Sequence, residues 1–202
     1  MQNDFSDTIC SISSPPGNGA IAVIRMSGEK SLSIFASLFK YKGKPLKPEK
    51  LKANTLYFGR IDNSGEIIDE VLAGIFREPK SYTGEDIVEI SCHGSEYIQQ
   101  RILEVLIDEG CRMARPGEFT QRAFLNGKMD LSQAEAVADL ISSSTKAGHK
   151  VAMNQMRGAF RDEISQLREK LLHFISMIEL ELDFSEEDVE FADRNQLKNL
   201  LE

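Results

Sequence analysis

The stretch RPGEFTQRAFLNGKMDLSQAEAVADLI, residues 115–141, divides this chain in two. Pro116 and Gly117 interrupt regular structure, because proline lacks a backbone donor and glycine admits left-handed backbone. EFTQRAFLNGK (118–128) then reads as a short helix that stops near Gly127. After Asp130, a capping residue by type, Ala134, Val137, Ala138 and Ile141 fall on one helical face. A polar set, Glu118, Arg122, Lys128 and Asp130, stands ahead of that apolar period. Its role is the question the rest of the sequence must answer.

Working upstream, the period shortens. TICSIS (8–13), AIAVIRM (20–26), TLYFGRID (55–62), EIIDEVLAGIFRE (66–78) and DIVEISCHG (86–94) read as strands. Asn63-Ser64-Gly65 joins the third and fourth as a hairpin. One helix follows Ser27-Gly28 and turns Leu32, Ile34, Phe35, Leu38 and Phe39 inward. A second covers 95–110, with Ile98, Ile102, Val105 and Leu106 on one face and Gly110 as its stop. The pattern predicts an α+β fold with a mostly antiparallel sheet.

Downstream nothing reads as strand. From about Thr145 the sequence predicts one long helix, on which Phe160, Ile164, Leu167, Leu171, Phe174 and Ile178 form an a/d stripe. The last residues, NQLKNLLE, read as part of a further helix, so the helical region reads as unfinished. The expected domains are 1–117, α/β, and 118–202, the first part of an all-α domain.

Composition narrows the function classes. The 202 residues are 41% hydrophobic, enough to bury a substantial core. No apolar run approaches the ~18 residues of a membrane helix, and MQNDFSDTIC lacks the pattern of a signal peptide. A cytoplasmic protein without a membrane partner is expected. Cys10, Cys92 and Cys111 are odd in number and scattered, which fits reduced thiols. The net charge of −8 is uneven: residues 1–117 carry 16 acids and 14 bases, residues 118–202 carry 16 and 10. ELELDFSEEDVEFAD (179–193) alone holds eight acids, whose mutual repulsion predicts mobility beyond about residue 183. Bulk electrostatics therefore do not suggest a nucleic-acid binder. One stretch runs the other way: KYKGKPLKPEKLK (40–52) has six Lys and one Glu. A solvated surface loop is its favoured reading, a phosphate-contacting patch the lesser one.

The chemical motifs are few. No G-x-x-x-x-G-K-[ST] phosphate loop is present, and no Cys/His set has metal spacing. Cys92-His93 cannot form a direct nucleophile pair, because neighbouring strand residues face opposite ways. Arg25 inside AIAVIRM and Glu89 inside DIVEIS are charges placed in apolar strands. They either pair with each other or face solvent, or they form a polar site on an apolar wall. A carboxylate accepts the N–H/NH₂ edge of a pterin or guanine ring, and an Arg or Lys holds carbonyl or carboxylate oxygens. Glu118 and Arg122, four apart on a helix, read as a favourable pair worth ~0.3 kcal/mol.

DTICSISSPPGNGAIAVIRMSG, SYTGEDIVEISCHG, ARPGEFTQRAFLNGKMDLSQAEAVADLI and DFSEEDVEF are long, ordered motifs. In them the chain closely resembles the N-terminal part of the MnmE (TrmE) family of tRNA-modification GTPases. The resemblance implies an N-terminal α/β domain similar to tetrahydrofolate-binding domains, which also makes a homodimer. A helical domain would follow, into which a GTPase domain is inserted. It implies 5-formyl- or 5,10-methylene-tetrahydrofolate as one-carbon donor, and in the parent protein GTP, potassium and magnesium. The flavoprotein MnmG would be the partner in adding an aminomethyl-type group to C5 of the wobble uridine of tRNA. Residue by residue, the family's folate contacts fall on Arg25 of VIRMSG, Glu89 of TGEDIVE and Lys128 of FLNGK. The polar stretch 115–130 would then return Lys128 to the ligand. The chain ends before the GTPase insertion, so on its own it is expected to be inactive towards GTP. The competing expectation is a purely structural dimerisation module with an idle folate pocket.

Overall fold

Alternation along the strands sets the architecture of the first unit. In the computed structural model, which describes residues 7–183, eight strands form one sheet. They are β1 (Ile9–Ile12), β2 (Ile21–Ser27), β3 (Phe39–Tyr41), β4 (Lys44–Pro45), β5 (Thr55–Asn63), β6 (Glu66–Phe76), β7 (Ile87–His93) and β8 (Arg112–Met113). The strand order is β4-β3-β5-β6-β7-β2-β1-β8. All neighbours are antiparallel except β1 and β8. Three helices accompany them: α1 (Ser31–Leu38), α2 (Glu96–Asp108) and α3 (Glu118–Leu125).

Ala22, Ile24 and Met26 of β2, Val71, Ala73 and Ile75 of β6, and Val88, Ile90 and Cys92 of β7 are all buried. They join Leu32, Phe35 and Leu38 of α1 and Ile102, Val105 and Leu106 of α2 in one core. Each Val, Leu, Ile, Phe or Met side chain among them contributes roughly 1.5–3 kcal/mol on leaving water. The intervening residues Val23, Arg25, Glu89 and Ser91 take the other face, because strand side chains alternate. Leu56 and Phe58 on β5 stay 65% and 62% exposed.

The α+β expectation holds, with three differences of detail. The Lys-rich segment, read as a loop, contains β3, β4 and a 3-10 turn at Pro48–Lys50. Strands of two and three residues are too short to show a period. β3 lies so close to β5 that a Cβ on Gly59 would collide with the Phe39 ring. The first unit closes after Asp130, not after Gly117, because Glu118 and Arg122 of α3 are buried within it.

The third difference concerns the helices of the second unit, α4 (Leu131–Ser142), α5 (Lys146–Met156) and α6 (Ala159–Asp183). The single helix expected from Thr145 is broken at Gly158, whose φ of +82° cannot continue a right-handed helix. Thr145 caps α5, its hydroxyl accepting from the Gly148 N–H at 3.1 Å. α4 and α5 are tied end to end by two side-chain amides. Gln133 donates to the Met156 carbonyl at 2.9 Å, and Gln155 donates to the Ser132 carbonyl at 3.2 Å. Along α6, Ile164 and Leu167 are exposed while Phe174 is buried. The expected further helix at NQLKNLLE, most of the DFSEEDVEF motif and the expected mobility beyond residue 183 lie outside the described residues. Among the described residues no helix is long and apolar enough to cross a membrane.

Candidate functional site

Antiparallel register places Arg25 of β2 directly opposite Glu89 of β7. Directly opposed side chains on one face are near enough to interact, and these two do. Arg25 donates from Nε and from one terminal nitrogen to the same oxygen, Glu89 Oε1, at 2.9 and 2.6 Å. Glu89 Oε2 accepts no hydrogen bond among the described residues. The pair is only part-buried, the side chains being 25% and 31% exposed. Gly74 of β6 stands beside Glu89 on its other flank.

Two aromatic rings, unassigned from sequence, complete this corner. The Arg25 guanidinium lies 5.2 Å from the Tyr82 ring centre and 5.6 Å from that of Phe119. A cation against an aromatic face is attracted by the ring quadrupole. The Tyr82 hydroxyl shares a hydrogen bond of 2.9 Å with Thr120 of α3, so loop and helix hold both rings. The available signal was an aromatic residue set among turn-type neighbours, in SYTGED and GEFTQ.

Lys128 reaches the same loop from the other side. Its Nζ donates to the Pro79 carbonyl at 2.8 Å. Asn126 donates to the Thr83 carbonyl at 2.7 Å, and a Cβ on Gly84 would touch the Lys128 stem at 3.3 Å. The three sequence candidates therefore divide. Arg25 and Glu89 form a direct pair, and Lys128 joins the loop that carries Tyr82 without bonding to that pair.

Glu118 and Arg122 form the pair that their spacing suggests, but inside the unit and not on its surface. They are 4% and 1% exposed. Arg122 donates to the Asp7 carbonyl at 2.8 Å, to the Asp7 carboxylate, to Glu85 Oε1 at 3.2 Å and to Glu118 Oε1 at 3.3 Å. Arg112 of β8 bridges Asp7 and Glu118. Ser27 of β2 donates to Glu85 Oε2 at 2.6 Å. Three carboxylates and two guanidinia thus clamp the start of the chain, β8, the loop before β7 and α3. The Arg112 guanidinium and the Arg115 N–H hold the Glu118 carboxyl down at about 2. Arg112 likewise lowers Asp7.

The thiols offer no nucleophile. Cys10, Cys92 and Cys111 are free and buried, and burial pushes the Cys92 thiol up to about 11. His93 faces outward, its Nδ1 2.7 Å from Asp69, as the strand alternation requires. Among the described residues no group of acids, histidines and cysteines has the arrangement of a metal site.

The family model described as GTP-binding protein TrmE N-terminus matches residues 8–128. The model of the MnmE helical domain matches residues 131–202. The chain is similar to proteins named tRNA modification GTPase MnmE. It is 61% identical over 196 residues to that of Flavobacterium johnsoniae and 62% over 198 to that of Bacteroides thetaiotaomicron, covering 96% of this chain in each case. To that of Christiangramia forsetii it is 60% identical over 197 residues, or 98% of this chain. The chain spans 42% of the length of the first two relatives and 41% of the third. The two family models meet where the two compact units meet.

Proposed function

We propose that this chain, which belongs to the TrmE/MnmE family of tRNA modification GTPases, holds a tetrahydrofolate on its first unit and dimerises through that unit. In the whole protein this serves the addition of an aminomethyl-type group to C5 of the wobble uridine of tRNA, in the cytoplasm, together with MnmG. GTP, potassium and magnesium belong to the parent protein's turnover. The 202 residues contain no G-x-x-x-x-G-K-[ST] run, and nucleotide binding is no part of their proposed role.

One observation carries the reading: a half-exposed carboxylate, held by arginine through one oxygen only, beside two aromatic rings. Those residues fit a pterin. Glu89 Oε2 is an acceptor for the ring's N–H/NH₂ edge, Tyr82 and Phe119 suit a flat heterocycle, and Arg25 and Lys128 bring positive charge for its oxygens. Bound 5-formyl- or 5,10-methylene-tetrahydrofolate would supply the one-carbon unit. The chain's own part is to bind and orient it. The apolar side chains left outward on β5 and β6, Leu56, Phe58, Ile67 and Leu72, are of the kind that a second copy would cover.

The test is calorimetric titration of the 202-residue chain with tetrahydrofolate, beside Glu89→Gln. A charged hydrogen bond is worth ~1.5–3 kcal/mol, so the variant should bind at least about tenfold more weakly. Equal affinity in a folded variant removes Glu89 from the site. No binding by the parent chain leaves the structural reading, in which Arg25 and Glu89 simply brace β2 against β7. Light scattering at tens of micromolar should give a dimer without nucleotide, and a monomer would refute self-association.

A further inference from the structure

The geometry points to a second surface on the first unit: the β3–β4 hairpin and the turn after it form a docking site for the phosphate backbone of RNA. The inference rests on the proposed role in tRNA modification for its choice of polyanion, but on separate residues.

Lys40, Lys42, Lys44, Lys47, Lys50 and Lys52 crowd a segment with a single acid, Glu49, in a chain whose net charge is −8. All but Lys40 are exposed. Every ion pair among the described residues is made by other side chains. Lys42 lies 5.3 Å from the Tyr41 ring centre, which leaves its charge unneutralised. Six like charges repel one another, and fixing them together costs free energy unless something opposite binds.

The segment is nonetheless fixed. The Tyr57 hydroxyl accepts from the Lys52 N–H at 2.8 Å and donates to the Lys50 carbonyl at 3.1 Å. Arg77 donates to the carbonyls of Pro48 at 3.0 Å and Leu51 at 3.1 Å. Leu51 is buried in the core. A loop that only needed solubility would not require a phenol and a guanidinium to hold its backbone. Lysines on an outer strand also deter strand-to-strand aggregation, and that accounts for Lys44 on β4. Lys47, Lys50 and Lys52 lie beyond the edge strand and are left for another purpose.

The chemistry favours RNA over a lipid surface. Within residues 40–52 the apolar Leu46 is part-buried and Leu51 buried, so neither is free to enter a bilayer. Lysine offers a point charge without bidentate geometry, which suits backbone phosphates more than base edges. The contact should therefore position RNA without reading its sequence.

The experiment is fluorescence anisotropy of an end-labelled tRNA transcript titrated with the 202-residue chain across a salt series. Four phosphate contacts give a log–log salt slope of about −3. Binding should then weaken roughly fiftyfold between about 50 and 200 mM salt. Lys47→Glu with Lys50→Glu and Lys52→Glu should bind at least tenfold more weakly, with a slope shallower by about 2. The matching triple Ala variant should show a smaller step in the same direction and guards against misfolding of the charge-reversed protein. Unchanged melting and tetrahydrofolate affinity in either variant would support a surface distinct from the Arg25–Glu89 site. tRNA affinity that ignores all three lysines overturns the inference. So does binding to phosphatidylserine vesicles without binding to tRNA, and so does salt-sensitive self-association without tRNA binding. Absence of tetrahydrofolate binding by the parent chain, with lysine-dependent tRNA binding intact, would refute the folate reading and support this one.

Discussion

Two clusters of carboxylate and guanidinium in the first unit differ in how much water reaches them. Arg122 is 1% exposed and touches three acids, whereas Arg25 is 25% exposed and touches one. In the first cluster, burial weakens screening, and the attraction is strong only while every partner stays in place. Such a group holds elements together and has no spare capacity for a ligand. In the second, water is near enough that neither charge needs the other, and Glu89 keeps one oxygen unused. Exposure separates a structural clamp from a candidate site where residue type does not.

The largest effect that would test this contrast is Arg122→Ala. It leaves Glu85 without a guanidinium and Asp7 and Glu118 with Arg112 alone, and loss of a buried partner costs roughly 3–5 kcal/mol. Urea unfolding should show that loss, and a change under about 1 kcal/mol, the range of an exposed pair, would erase the distinction.

Acid should come next. The Arg112 guanidinium holds the Glu118 carboxyl down at about 2 in the folded chain, against an ordinary 4.5. A carboxyl with a depressed folded value stabilises fully above its unfolded value and loses that stabilisation as pH falls through the folded one. The contribution, roughly 3 kcal/mol, is therefore present above about pH 5 and gone near pH 2. Glu118→Gln should flatten the stability profile in that window and lower its neutral plateau. An unchanged profile would mean that Glu118 is not held in its charged form.

Glu89→Gln should behave oppositely to the buried cluster. Its effect on folding should stay within about 1 kcal/mol, as for a part-exposed pair, while folate affinity falls tenfold or more. A large drop in melting temperature would make the pair a brace. Lys128→Ala is the smallest change. Its amine is near solvent, so folate binding should weaken a few-fold, and the difference should shrink as salt rises over the screening range of about 10 Å. A salt-independent loss would place Lys128 deeper than its bond to Pro79 suggests.

Much of this was readable from local pattern, and what was not had a common cause. The long strands and α1 and α2 declare themselves by period. Arg25 and Glu89 stand out as charges in apolar runs, yet that they oppose each other depends on strand register, which no local pattern encodes. β3, β4 and β8 are too short for periodicity. That Glu118 and Arg122 pair was legible from their spacing, but not that the pair is buried, because only their helical neighbourhood is visible in sequence. Their burial depends on Asp7 and Glu85, remote along the chain. The break at Gly158 was marked by the glycine itself, but the a/d stripe begins only at Phe160 and so could not show where its helix starts.

The bonds from Arg122 to both the carbonyl and the side chain of Asp7 bear on how the amino end tolerates trimming. A chain shortened to begin at Thr8 would keep all eight strands, yet it would place a new ammonium group beside two guanidinia that had been neutralised by a carboxylate. Removal of position 7 would take away a carboxylate that both guanidinia hold, and stability should drop in a sharp step there. The amino end is in this sense a latch, and a fusion partner joined directly before Thr8 would have to supply an acid of its own to keep it shut.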